Sequence, residues 1–187
     1  MNDISDTQQG RFIAICDEGF RRSEIIIGLE HLGFSALGWL TVGKMTRENT
    51  DVHICESMND AEKAILKCSE EKTNITAVFF NWPYGNAQGL TTLPKSFNIV
   101  FDALKNNPDS ILYVISPADQ LIKDYILNNI KDPEKYDSRI NTSIFSDFNV
   151  LNRVGGTGEK IGDIVSVIVL SPPKVMGPKL KTRCNLG

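Results

Sequence analysis

Asn81-Trp82-Pro83-Tyr84 is the tetrapeptide whose residue types are best suited to chemistry. An asparagine amide can accept a hydrogen bond from an exocyclic amine, and the carbonyl before a proline can accept a second. A neighbouring tyrosine ring can stack on a base. Pro83 holds the backbone turned, so that these groups are expected to face one way. Asp17-Glu18-Gly19 offers two carboxylates to a ribose or a metal, although acids at a strand end equally well cap the helix that follows. Ser116-Pro117 adds a hydroxyl. Other groups read as structural. Gly156-Thr157-Gly158-Glu159-Lys160 lacks the G-x-x-x-x-G-K-[ST] spacing of a phosphate loop and reads as a hairpin loop. His31 falls in an amphipathic helix as an exposed residue. Cys16, Cys55, Cys68 and Cys184 are scattered, and with only His31 and His53 beside them no zinc pattern can be drawn.

The elements that must position these residues follow from periodicity. Phe12–Cys16 is an apolar run of strand length, and Ser23–Leu32 repeats Ile25, Ile26, Leu29 and Leu32 at helical spacing before Gly33. Ser35–Val42 reads as a second strand, residues 43–50 as a polar connection, and Asp51–Cys55 as a third strand. Asn59 and Glu62 resemble a capping box that opens a helix to about Cys68. Ile75–Phe80 and Ile111–Ile115 read as buried strands. Phe97, Val100, Phe101 and Leu104 mark one helix, and Leu121, Ile122, Tyr125 and Ile126 another. Thr142–Val150 and Ile164–Leu170 read as two β-strands closing a hairpin.

This alternation predicts a three-layer, doubly wound α/β domain on a mostly parallel sheet, Rossmann-like, with a C-terminal antiparallel hairpin. In such sheets ligands sit beyond the carboxyl ends of the strands. Asp17, Asn81 and Ser116 should therefore share one rim, with Asn81 and Tyr84 at least partly exposed and Trp82 available as a binding aromatic. The 187 residues suit one domain over 11–173, after a disordered lead-in at 1–10 and before a basic tail at 174–187 that carries Lys174, Lys179, Lys181 and Arg183. A net charge of −3 gives no global signature of nucleic-acid binding. No apolar run approaches the ~20 residues of a membrane span, so no membrane is expected. The reading is a cytoplasmic chain with reduced thiols.

Asn81-Trp82-Pro83-Tyr84 resembles the N-x-P-Y motif of S-adenosylmethionine-dependent methyltransferases that modify amino groups of adenine. That resemblance implies a nucleic-acid substrate, DNA or RNA, oriented by Asn81, Pro83 and Tyr84 as the catalytic set. It also implies S-adenosylmethionine as cofactor, with Asp17 and Gly19 lining its pocket. The separation of 64 residues between Asp17 and Asn81 is similar to that between the family's first and fourth motifs. The first motif departs from the family's D-x-G-x-G, because Phe20 precedes Arg21 where the second glycine belongs. Gly38-Trp39-Leu40-Thr41 also lacks the ribose-holding acid of the second strand. The degenerate motif implies weak or absent cofactor binding, and a pseudoenzyme that acts through binding.

Residues 12–34 also resemble the start of a response-regulator receiver domain. Asp17 and Glu18 would be its acidic cluster, Asn81 would stand at the phosphoacceptor position, and Ser116 at the hydroxyl position. An amide lacks the carboxylate nucleophile. This resemblance therefore implies a pseudo-receiver, a module that binds a protein partner without phosphotransfer.

Overall fold

The computed structural model describes residues 10–16, 19–36, 43–82, 95–116 and 119–170. Strand β1 (Gly10–Ile15) leads into helix α1 (Gly19–His31), followed by β2 (Ser35–Ala36), β3 (Lys44–Arg47) and β4 (Thr50–Cys55). Helix α2 (Met58–Glu70), β5 (Ile75–Asn81), α3 (Lys95–Asn106), β6 (Ile111–Ile115) and α4 (Asp119–Asn128) continue the alternation. Two short 3₁₀ turns then reach β7 (Ile140–Asn141), α5 (Phe148–Asn152) and α6 (Gly156–Leu170). Among the described residues no helix is long and apolar enough to cross a membrane.

The seven strands form one sheet in the order β2-β3-β4-β1-β5-β6-β7. Pairing is parallel from β4 through β7 and antiparallel for β2–β3 and β3–β4. The α/β class with a mostly parallel sheet is thus as expected. Counting only the parallel strands, the order is second, first, third, fourth, fifth, one of the two common doubly wound arrangements. The chain winds outward from β1 to β4, then crosses back over β1 to β5. Helix α1 lies on one face of the sheet and α2, α3 and α4 on the other. Ile25 and Leu29 of α1 and Ile161 and Val165 of α6 pack with Phe12, Phe79 and Phe145 on one face. Helices α2, α3 and α4 cover the other, with Ala61, Phe97, Leu104 and Ile122 against Ile13, Val78, Phe80 and Val114. Arg139 fastens the β7 edge by donating to the carbonyls of Leu104, Asn107 and Ser110, which include orphan acceptors at the end of α3.

Several expectations are corrected. The C-terminal antiparallel hairpin is not formed, because Ile164–Leu170 belongs to α6. Ile161, Ile164, Val165 and Ile168 recur at i, i+3, i+4 and i+7, a helical stripe that the β-branched composition obscured. Thr142–Val150 is likewise not a strand: Asp147 accepts from the Asn149 amide and caps α5. The sheet's antiparallel part lies at the opposite edge, where the expected connection 43–50 holds β3. Only Met45 of that strand is fully buried, so its period-2 signal was too short to read. The N-cap of α2 is Ser57, accepting from Asp60, two residues before the expected Asn59. Gly10 already pairs with Thr50, while residues 1–9, most of the expected second strand at 37–42, and the tail lie outside the described residues.

Candidate functional site

Cys16, Asn81 and Ser116 stand at the carboxyl ends of the adjacent strands β1, β5 and β6. Asn81 pairs with Ile115, and the Trp82 amide donates to the Ile115 carbonyl at 3.1 Å. Cys16 bonds through its amide to the Cys55 carbonyl at 2.9 Å. Gly19 opens α1 directly behind this rim. Asp17, Pro83 and Tyr84 lie outside the described residues.

Two local details differ from expectation. Asn81 is only 5% exposed and Ser116 only 3%, so the amide lies at the rim but beneath its surface. Trp82 is not an exposed aromatic. It is buried with ring centroids 6.3 Å from Phe80, 6.4 Å from Phe97 and 6.1 Å from Tyr125, all steeply inclined. Alternation along β5 explains why. Ala77 and Phe79 face the α1/α6 layer, whereas Val78, Phe80 and Trp82 face α2–α4. Asn81 therefore falls on the opposite face from Trp82, and the tetrapeptide does not present the two together.

Among the described residues the second parallel strand is β4, and it is followed at once by an acid; the segment around Gly38 lies outside the described residues. Glu56 receives Arg22 of α1 at 2.6 Å. An acid thus follows the second parallel strand, after Cys55 and not near Gly38, where sequence reading looked for one. Its residue type was visible, but the strand count that would assign it was not.

The same strand carries a group of residues that sequence reading passed over. Asp51, His53 and Cys55 alternate onto the α2 face of β4, beside a cleft of about 530 Å³ between β3–β4 and α2. Asp51 is buried and is shared by Arg11 of β1 and Lys44 of β3, the latter at 2.7 Å. Arg11 also reaches Glu71 at 3.6 Å. A carboxylate this deep is tolerated only because two cations meet it, since an unpaired buried charge is costly. Burial, then the cations Lys44, Arg11 and Lys67, push the His53 imidazole down to about 4, so it is neutral at pH 7. Burial and the Arg11 charge also lower Lys44. Cys55 is pushed up to about 12 by burial, which makes it an inert thiol. The signal available in sequence was the polar alternation Asp51-x-His53 inside a short apolar strand.

No protein-family model, no curated protein and no solved structure matches this chain.

Proposed function

We propose that this chain is a receiver-like interaction module that works without phosphotransfer. The observation that carries this reading is the order of the five parallel strands, which receiver domains share. The distribution of helices agrees with it, since α1 and the last helix share one face and the three middle helices the other. In that arrangement Asn81 ends the third parallel strand, at the phosphoacceptor position, and Ser116 follows the fourth. An amide cannot form an acyl phosphate. The fifth parallel strand runs on as Asn141-Thr142-Ser143, without the lysine that would neutralise a phosphoryl group. The function left to such a domain is to hold a protein partner.

The adenine-methyltransferase reading rests on the tetrapeptide. It would need a rim that uncovers Asn81 and a turn that admits S-adenosylmethionine past Phe20. Isothermal titration with S-adenosylmethionine, run beside radiolabelled methyl transfer to adenine-containing DNA and RNA, separates the two. No binding and no label are expected. Micromolar binding, or label whose incorporation is lost in Asn81→Ala, overturns the interaction reading. Label from radioactive acetyl phosphate, retained on the protein, overturns its claim that phosphotransfer is absent.

A further inference from the structure

The cleft beside β4 is built from three elements that the proposed module does not use. Its volume, about 530 Å³, lies within the range of small-molecule sites. Lys44 enters from β3, and Lys63 and Lys67 from one face of α2, one turn apart. Lys63 makes no ion pair with a carboxylate among the described residues, and the Lys67–Glu71 contact is long, at 3.9 Å, and exposed. Such a pair contributes almost nothing and leaves the ammonium available. Among the described residues Lys44 pairs with Asp51, which it shares with Arg11. Positive charge thus exceeds negative in the lining of the cleft, in a chain whose net charge is −3.

The acids in the lining are Glu56 and Asp60. Glu56 is paired with Arg22, and Asp60 accepts from the Ser57 hydroxyl. Asp60 stands one helical turn from Lys63 and two turns, about 10 Å, from Lys67. Gly43 borders open space, because a side chain built there would meet nothing within 4 Å. The floor is apolar, from Cys55 and Ala64. Concavity, three lysines in the lining and an apolar floor suit a compact dianion with a carbon skeleton better than an extended nucleic-acid backbone, which is met by basic stripes.

We propose that this cleft binds a small phosphorylated molecule, whose phosphate is held by Lys44, Lys63 and Lys67. The neutral His53 ring supplies a further hydrogen-bonding group without adding charge.

The full chain titrated with glucose 6-phosphate, inorganic phosphate and glucose provides the test. Glucose 6-phosphate should bind with a millimolar or tighter Kd, inorganic phosphate more weakly, and glucose not at all. The double variant Lys63→Ala/Lys67→Ala should weaken glucose 6-phosphate about tenfold or more, as loss of charge-assisted hydrogen bonds does. Gly43→Leu, which fills the cleft and leaves every lysine in place, should weaken it comparably. Circular dichroism melts confirm that both variants fold. A bound anion should also raise the His53 imidazole, followed by NMR, because it offsets the Lys44, Lys67 and Arg11 charges that face the ring alongside Glu71. Failure of both phosphates to bind at about 10 mM, or binding that survives both variants, overturns the proposal. So does an oligonucleotide that binds more tightly with the same lysine dependence.

Discussion

Trp82 owes its place to the rings of Phe80, Phe97 and Tyr125, which meet it at 81–84° or, for Phe97, 69°. Inclined pairs of this kind stabilise beyond simple burial. Its truncation should therefore act on the fold first. Trp82→Ala is expected to lower unfolding free energy by about 3–5 kcal/mol, as other large-to-alanine core changes do. Urea titration measures this directly, and a loss under about 1 kcal/mol would show that the indole is not part of the core. At this scale the sequence placed Asn81 at a strand end, but not the direction in which it or Trp82 points. Asn81 does end a buried strand at the carboxyl rim. Which way it points depends on the parity of β5 relative to the two helical layers, and no single residue type encodes that. The cleft residues were harder still. Asp51 and Lys44 are ordinary charged residues until pairing of β4 with both β1 and β3 sets them beside Arg11.

Between elements, the decisive contact is α1 on α6. A Cβ on Gly28 would overlap the Gly155 carbonyl oxygen and the Glu159 nitrogen, and would stand 2.6 Å from the Gly158 carbonyl carbon. One on Gly158 would overlap the Ile25 carbonyl and stand 2.8 Å from that of Glu24. Backbone cannot move aside as a side-chain tip can, so the helices must separate. The closeness is used: Glu24 accepts the Gly155 amide at 2.6 Å, and Arg21 donates to the Thr157 hydroxyl at 3.0 Å, tying the first turns of α6 to α1. Gly28→Ala should cost about 3 kcal/mol or more, at the upper end for overpacking. Hydrogen exchange should show the loss of protection concentrated in α1 and α6. A neutral Gly28→Ala would mean that the two helices stand farther apart. The glycines at 155, 156 and 158 read in sequence as a hairpin loop, whereas Gly156 and Gly158 belong to the first turn of α6, because glycine in sequence signals flexibility as readily as it signals close approach. Only the partner helix, well over a hundred residues away, decides between them.

For the molecule as a whole, stability should fall in mild acid through His53. Its imidazole sits at about 4 in the fold against 6.5 as a free group. Above the unfolded value both states are neutral and nothing is lost. As pH drops from about 6.5 toward about 4, the unfolded chain takes up a proton that the fold refuses, and stability declines across that window. With allowance for the solvent that still reaches the ring, the loss is about 2 kcal/mol. His53→Gln should flatten that part of the profile, seen as a smaller difference between urea midpoints at neutral pH and near pH 4. Identical slopes in the two proteins would place the acid sensitivity elsewhere. Fold class was legible at this scale because alternating strands and helices leave a periodic trace. Strand order was not, since the crossing from β4 over β1 to β5 involves no local feature of either strand. The order of the sheet became readable only from pairing.

Where two backbones touch with nothing between them, descent is constrained. Positions 28 and 158 can each accept only hydrogen as a side chain while α1 and α6 keep this crossing. Substitution at one cannot be rescued by a smaller residue at the other, because none exists. Exposed positions of α4, such as Leu121, can drift. A distant cousin of this chain would therefore be recognised less by the chemistry of its rim than by a glycine late in its first helix, and by another early in its last.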